Sequence, residues 1–275
     1  MTRSFKKFDV NGTVLNVLIA GQGEPVLLIH GFPDDHSVWR YQIDALVQAG
    51  FQVIAPDMRG YGESALSKRV RDYHVSNLVK DLLALLDALK IKQIAVAGHD
   101  WGAGIGWMLA IHHPDRVTRY AALSVGHPCA FVSAPMSQKL RSWYMLFFQL
   151  RGLAEFLIKA NNWSLFRKVF GLPDYEDEVI QRLSRPGRLT AGLNYYRANV
   201  DMLFVKNLPS VKMPVLGLFS TGDKYLIEQQ MQDSAQYVQA EWRYECIEGV
   251  SHWLQLDAPE RVSALLIEFF GNAKL

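Results

Sequence analysis

The sequence predicts an α/β fold with a mostly parallel sheet, an antiparallel hairpin at its N-terminal edge and an inserted helical segment. Short apolar runs bounded by turn residues alternate with segments of helical periodicity, which is typical of parallel βα units. This alternation is interrupted once, between about Cys129 and Val211, where the sequence indicates helices rich in Trp, Tyr and Phe and no strand. We therefore expect an α/β core at residues 1–128 and 212–275 and a helical cap at residues 129–211.

The first two predicted strands form the hairpin. Runs around Phe8 to Thr13 and Leu15 to Ala20 meet at Asn11-Gly12, a strong signal for a tight turn between antiparallel strands. The runs predicted as parallel strands are Val26 to Ile29, Gln52 to Ala55, Ile94 to Ala97, Ala121 to Val125, Val215 to Phe219 and Tyr244 to Ile247.

Helices are predicted where apolar residues recur with helical spacing. Pro173 and the pair Pro186-Gly187 should divide the insertion into several helices. The chain should end in a helix with Pro259 in its first turn. The apolar stripes are Trp39, Ile43, Leu46 and Val47, then Val75, Leu78, Val79, Leu82, Leu86 and Leu89, and finally Val262, Leu265, Leu266 and Phe269.

Composition narrows the range of partners. The chain has 275 residues, 49% of them hydrophobic and 20% charged, which suits one large globular enzyme domain with an insertion. Lys and Arg number 29 against 27 Asp and Glu. The net charge of +2 gives no electrostatic reason to expect a nucleic acid or an anionic membrane as partner.

Several features favour a cytoplasmic location. No apolar run follows the basic residues at the N-terminus, so no signal peptide is visible. Cys129 and Cys246 alone cannot form the disulfide framework of a small secreted protein. The most apolar stretch, Trp143 to Ile158, contains Arg151 and Glu155 and falls short of the roughly 20 apolar residues that a membrane span needs.

The strongest chemical signal is the turn after Ile94 to Ala97. Gly98-His99-Asp100-Trp101-Gly102 lies between this predicted strand and a predicted helix, which is the arrangement of a nucleophile elbow. The tight turn requires small residues two positions before and after the nucleophile, and Gly98 and Gly102 meet that requirement. On these five residues alone, an ordinary turn in which Asp100 caps the helix remains open.

An aspartate in place of serine changes the chemistry. A carboxylate needs no base to activate it, and it can displace an oxygen or a halide at a saturated carbon to form an alkyl ester. Asp100 is therefore the candidate nucleophile.

Three other segments are candidates for supporting groups. In His30-Gly31-Phe32-Pro33, the backbone N–H of Phe32 could form an oxyanion hole with that of Trp101, although a plain turn remains possible. His252, after the last predicted strand, is the candidate base. Asp223, after the preceding strand, is the acid that would orient it, with a purely structural Asp as the alternative.

No other cluster predicts a functional site. We assign no role to His36, His74, His112 and His113. No grouping of His, Cys and carboxylates has metal-ligand spacing and no Gly-rich phosphate loop is present, so neither a metal nor a cofactor is expected.

Taken together and in this order, the motifs resemble those of the epoxide hydrolases of the α/β-hydrolase superfamily, with haloalkane dehalogenases as close relatives. The resemblance covers nearly the whole chain. Its carriers are His30-Gly31-Phe32-Pro33, the segment from Asp57 to Ser64, Gly98-His99-Asp100-Trp101-Gly102, Asp223 and Ser251-His252-Trp253.

The resemblance implies a cap that supplies two tyrosines facing the nucleophile. Tyr144 matches the first and Tyr196 the second, with the neighbouring Tyr195 as the alternative. An epoxide oxygen leaves as an alkoxide, a poor leaving group, so phenols that protonate it are a chemical requirement. The expected partners are a small apolar epoxide and water, held in an apolar pocket predicted to include Phe32, Trp101, Trp143, Phe147 and Phe148.

Other functions remain as alternatives. A haloalkane dehalogenase would use the same Asp100, but Phe32 stands where some dehalogenases carry a polar residue. A ligand-binding protein without catalysis typically lacks a triad member, whereas Asp100, Asp223 and His252 are all present. An esterase or hydroxynitrile lyase would require Ser at position 100.

Overall fold

The computed structural model describes residues 3–172 and 175–271, in which an eight-stranded sheet has the order β1-β2-β4-β3-β5-β6-β7-β8. β1 and β2, and β2 and β4, are antiparallel; the other neighbouring pairs are parallel. The predicted fold class is therefore confirmed. The strands are β1 Arg3–Val10, β2 Thr13–Ala20, β3 Glu24–Ile29, β4 Phe51–Pro56, β5 Ile94–His99, β6 Val117–Leu123, β7 Val215–Ser220 and β8 Trp242–Ile247.

The N-terminal hairpin turns at the predicted Asn11-Gly12. Both residues have positive φ, 47° and 70°, as a tight turn between right-twisted strands requires. β1 begins at Arg3, earlier than the predicted Phe8, because a strand at the edge of a sheet can be polar and exposed along most of its length.

The predicted parallel strands agree with β3, β4, β5, β7 and β8, but β6 is displaced. It spans Val117–Leu123, whereas the prediction ran from Ala121 to Val125. Its start contains Thr118 and Arg119, which are not buried, so a search for apolar runs misses it. At its end Ser124 has a φ of 68° and leaves the strand direction.

Helices flank the sheet and form the insertion. α1 packs on α12, and α3 packs on α2, β5 and β6. None of the helices in the described part of the chain is long and apolar enough to cross a bilayer. The helices are α1 Arg40–Gln48, α2 Val75–Ala88, α3 Trp101–His112, α4 Pro128–Ser133, α5 Met136–Arg141, α6 Trp143–Phe147, α7 Leu153–Phe170, α8 Glu176–Ser184, α9 Arg188–Ala198, α10 Glu228–Gln232, α11 Leu254–Asp257 and α12 Pro259–Gly271.

The insertion between β6 and β7 is helical in its described residues, from α4 to α9. α8 and α9 are separated at Pro186-Gly187 as predicted, and Gly187 has a φ of 79°. Pro173, the other predicted break, lies outside the described residues. The division into core and cap domains at residues 129 and 211 stays a prediction.

The insertion packs tightly on the core through α9. A Cβ built on Gly192 of α9 would lie 2.8 Å from the ring of Phe32, so glycine permits this close approach. The guanidinium of Arg188 donates to the carbonyls of Tyr61 and Ser64, 3.2 and 2.7 Å away. These contacts hold α9 against the loops that follow β3 and β4.

Candidate active site

Asp100 lies at the sharp turn between β5 and α3. Its φ of 54° and ψ of −122° are unusual for a residue with a side chain. Such a conformation costs about 1–3 kcal/mol and persists only where the surroundings enforce it. A Cβ on Gly98 would overlap the carbonyl of Gly102, and a Cβ on Gly102 would overlap that of Ile29. The structure thus shows why both positions are glycine.

The loop after β3 approaches the Asp100 carboxylate directly. The backbone N–H of Phe32 donates to Asp100 Oδ1 over 2.8 Å. A Cβ on Gly31 would overlap this carboxylate, so a glycine is needed there as well. Buried His30 anchors the loop, since its Nε2 accepts from the N–H of Met58 over 2.9 Å.

The other Asp100 oxygen faces His252. Oδ2 lies 3.6 Å from His252 Nε2, which is an ion-pair distance and too long for a hydrogen bond. His252 Nδ1 lies 2.7 Å from Asp223 Oδ2. Asp223 Oδ1 accepts from the backbone N–H groups of Tyr225 and Leu226 over 2.8 and 3.0 Å, which orients the carboxylate. The structure thus brings the three predicted triad residues into one chain of contacts.

The positive charge of His252 and the negative charges of Asp100 and Asp223 stabilise one another. Burial alone would lower the pKa of His252, but the carboxylates of Asp223 and Asp100 raise it to about 10. Burial would raise the pKa of Asp100, but interaction with His252 and the backbone N–H of Trp101 hold that pKa below its usual value. The resting site therefore contains an imidazolium between two carboxylates at neutral pH.

Two predicted tyrosines open into the same cavity as Asp100 and His252. Tyr144 of α6 and Tyr196 of α9 have ring centroids 5.9 Å apart at 82°. The side chain of Trp101 is close enough to interact with the Tyr196 hydroxyl. Burial, and then the negative charge of Asp100, raises the pKa of both phenols well above the usual value. Both are therefore protonated donors near neutral pH.

Tyr195 points elsewhere. Its hydroxyl donates to the carbonyl oxygen of Arg59 over 2.7 Å, and the side chain is buried. It does not line the cavity next to Asp100. Of the two neighbouring tyrosines, only Tyr196 is placed to contact a molecule in the cavity.

The cavity beside Asp100 has a volume of about 110 Å³. Trp101 lines it, and Phe32 lines a small recess that adjoins Asp100. Sequence reasoning missed eight apolar side chains of the wall, because they lie far apart along the chain. They are Val75, Val125, Pro128, Phe131, Met145, Met202, Leu203 and Leu226.

The prediction that Trp143, Phe147 and Phe148 line this cavity is wrong. Trp143 is half exposed. It shares one face of α6 with Phe147, as residues four positions apart do, and Tyr144 is turned toward the site instead. Phe148 is buried behind the site, where its ring stacks on that of Phe170.

A protein-family model described as "alpha/beta hydrolase fold" matches residues 24–259. The chain belongs to the α/β-hydrolase fold family. The hydrolase is 33% identical to epoxide hydrolase A of Mycobacterium tuberculosis over 97% of both chains. It is 34% identical to epoxide hydrolase 3 of Xenopus tropicalis, covering 89% of this chain and 70% of that one. The crystal structure of epoxide hydrolase A from Mycobacterium thermoresistibile aligns with a TM-score of 0.86 at 30% identity, over 98% of each chain. The resemblance to the epoxide hydrolases of this superfamily is therefore confirmed.

Two residues of the hydrolase that sequence reasoning left without a role hold the backbone of His252. His99 Nε2 lies 2.9 Å from the carbonyl oxygen of His252, and Ser124 Oγ donates to the same oxygen over 3.1 Å. Burial, reinforced by the positive charge of His252, lowers the pKa of His99 to about 3, so its ring is neutral. The only sequence signal for His99 was its place inside the elbow motif.

One group of the hydrolase's described residues has donor atoms close enough together for a metal ion. The donor atoms of Asp35, His36 and Asp57 lie within 4.8 Å of one another. Hydrogen bonds already engage them: Asp57 Oδ1 lies 2.6 Å from His36 Nδ1, and Asp35 Oδ1 accepts from the N–H of Ser37 over 2.9 Å. The group does not line the Asp100 cavity, and its contacts are those of a structural cluster.

Proposed function

We propose that this α/β hydrolase converts an epoxide to a vicinal diol through a covalent alkyl ester on Asp100. The observation that carries the proposal is one cavity that contains an ionised carboxylate and two protonated phenols, Tyr144 and Tyr196. Opening an epoxide requires a nucleophile at carbon and a proton donor at oxygen. The relatives named as epoxide hydrolases support the same activity.

In the first half-reaction a carboxylate oxygen of Asp100 attacks one epoxide carbon. A carbon–oxygen bond to the carboxylate forms while the ring carbon–oxygen bond breaks, and the released alkoxide takes a proton from Tyr144 or Tyr196. The product is a hydroxyalkyl ester and one phenolate. The second phenol stabilises the developing charge by a hydrogen bond.

Esterification changes the electrostatics of His252. With Asp100 neutral, the imidazolium loses one of the two carboxylates that raise its pKa. Its proton passes to the phenolate, directly or through water, which restores the tyrosine and leaves a neutral imidazole. The resting imidazolium is thereby converted to a base when the ester is ready for hydrolysis.

In the second half-reaction His252, oriented by Asp223, takes a proton from water, and the hydroxide attacks the ester carbonyl. The N–H of Phe32 already donates to an Asp100 oxygen and, with the N–H of Trp101, would stabilise the oxyanion. Collapse releases the diol and regenerates the carboxylate and the imidazolium. The net reaction is epoxide plus water to diol.

The lining of the cavity suits a small apolar epoxide, since most of the residues around Asp100 are apolar. In this proposal residues 129–211 act as the cap that supplies both phenols. A dehalogenase would use the same Asp100 nucleophile but would have no need of a proton donor. Parallel assays for diol, with an aryl epoxide, and for halide, with a bromoalkane, separate the two activities.

Oxygen labelling tests the covalent route. In a single turnover in ¹⁸O water with enzyme in excess, the diol should be mostly unlabelled and a peptide containing Asp100 should gain the label. The diol oxygen comes from the carboxylate, whereas the oxygen of the attacking water stays on the enzyme. A fully labelled diol with an unlabelled Asp100 in the first turnover would mean that water attacks the epoxide directly, and the proposal would fail.

A further inference from the structure

The loop that carries Asp223 is held by side chains of the helical insertion. It connects the end of β7 at Ser220 to the start of α10 at Glu228. Gln138 and Arg141, both in α5, contact this loop. They are three positions apart, so they lie on the same side of the helix.

The two side chains make four hydrogen bonds to the loop backbone. Gln138 Nε2 donates to the carbonyl of Tyr225 over 2.9 Å, and its Oε1 accepts from the N–H of Ile227 over 2.9 Å. Arg141 donates from one nitrogen to the carbonyls of Asp223 and Leu226, 2.8 and 2.6 Å away. Gln138 is buried, with 1% of its surface exposed.

Tyr225 ties the same loop to another helix of the insertion. Its hydroxyl donates to the carbonyl of Val169, near the end of α7, over 2.8 Å. Its ring lies against the imidazole of His252, with centroids 5.2 Å apart. The insertion is therefore connected to the triad through the loop backbone and through an aromatic contact.

We propose that Gln138 and Arg141 are positioning residues that hold Asp223 where it can orient His252 for hydrolysis of the ester. This inference rests on the proposed function. A misplacement of about 1 Å in a catalytic group can cost on the order of 10²-fold in rate. The geometry of the base thus depends on the insertion being seated on the core.

The two half-reactions should respond differently. Alkylation uses Asp100 and the two phenols, whereas hydrolysis requires the His252–Asp223 pair. Loss of the α5 contacts should slow ester hydrolysis about 10- to 100-fold and leave alkylation within about twofold. The ester should then accumulate in the steady state and be visible as protein plus one substrate by mass spectrometry.

The variants are Gln138→Ala, Arg141→Ala and their combination, with Lys139→Ala as the matched control. Lys139 lies on the same short helix, is exposed and makes no hydrogen bond to another described residue. Arg141→Lys retains a donor and should recover part of the hydrolysis rate. The Lys139→Ala protein should hydrolyse the ester at the parent rate.

A pH profile separates positioning from a loss of folded protein. In the ester the pKa of His252 depends on Asp223, so a looser contact should move the apparent pKa of the hydrolysis step downward. A smaller amount of folded enzyme would reduce the amplitude without moving that pKa. The proton on His252 Nδ1 gives a readout that needs no substrate, because its exchange with solvent reports how well the 2.7 Å contact with Asp223 is kept.

The His252 Nδ1 proton is assigned by its absence in His252→Gln. We expect it to exchange with solvent at least 10-fold faster in the Gln138 and Arg141 variants than in Lys139→Ala. Parent-like exchange together with parent-like hydrolysis in the combined variant would overturn the inference. An equal reduction in the rates of alkylation and of ester hydrolysis would also overturn the inference. If the parent enzyme forms no ester with any epoxide, the proposed function fails, and proton exchange still decides the positioning role.

Discussion

The proposed role of Tyr196 as a proton donor can be tested by comparing Tyr196→Phe with the same change at its neighbour Tyr195. Tyr196→Phe removes a hydroxyl that faces the cavity next to Asp100. General acid catalysis contributes about 10²- to 10⁴-fold, or roughly 3–5 kcal/mol of barrier. Because Tyr144 remains as a second donor, we expect a loss near 10²-fold in alkylation. Stability should change little.

Tyr195→Phe should have the opposite effect. It removes a buried hydrogen bond of 2.7 Å to the Arg59 carbonyl and leaves that carbonyl without its partner. The expected loss of unfolding free energy is about 1–3 kcal/mol, or several degrees in thermal midpoint for a domain of this size. Alkylation by the folded protein should be unchanged.

Rapid-quench mass spectrometry measures alkylation as the rate at which protein plus one substrate appears, and urea unfolding measures stability. The reasoning is refuted if Tyr195→Phe slows alkylation as much as Tyr196→Phe does. It is also refuted if Tyr196→Phe lowers stability and leaves alkylation at the parent rate.

Three further predictions concern the base, the elbow and pH. His252→Gln should alkylate Asp100 at close to the parent rate but hydrolyse the ester about 10²- to 10⁴-fold more slowly, so that the intact mass stays one substrate heavier; turnover at the parent rate would remove His252 from the mechanism. Gly102→Ala should abolish activity and lower the thermal midpoint, because its Cβ would overlap the Ile29 carbonyl, whereas a Cβ on Gly104 would meet nothing within 4 Å. Gly104→Ala should stabilise α3 by about 0.5–1 kcal/mol, and equal midpoints for the two variants would contradict the model of a tight turn. The pKa of His252 is raised from 6.5 to about 10, so the stability from its ion pairs is fully present below pH 6.5 and is lost as the pH rises through 10. Between pH 6.5 and pH 10 the free energy of unfolding, measured with urea, should therefore fall more for the parent than for His252→Gln. An equal fall in the two proteins would contradict the raised pKa.

The fold class and the order of the candidate catalytic motifs could be predicted from the sequence because they depend on local constraints. Asn11-Gly12 predicts its turn from backbone preference alone, and Gly98 and Gly102 are required by the geometry of one turn. Asp100, Asp223 and His252 follow the ends of β5, β7 and β8 in chain order. The start of β6 was missed because Thr118 and Arg119, its second and third residues, are not apolar.

The contents of the cavity depended on contacts between distant segments. Tyr195 and Tyr196 are adjacent and chemically identical in the sequence, and only the packing of α9 against the Arg59 carbonyl separates a structural hydroxyl from one that faces the cavity. The apolar wall combines residues from several loops and helices, as Val75 and Met202 illustrate, so no local pattern identifies it.

The contacts that support the candidate triad also could not be predicted from the sequence. Gln138 and Arg141 lie more than 80 positions from the loop that they hold, and His99 contacts a carbonyl 153 positions away. Periodicity and turn chemistry act over a few residues, whereas these hydrogen bonds form only after the sheet and the insertion have packed together. The sequence by itself therefore determined the architecture and the candidate triad, and the tertiary structure decided which side chains face Asp100 and which hold His252 in place.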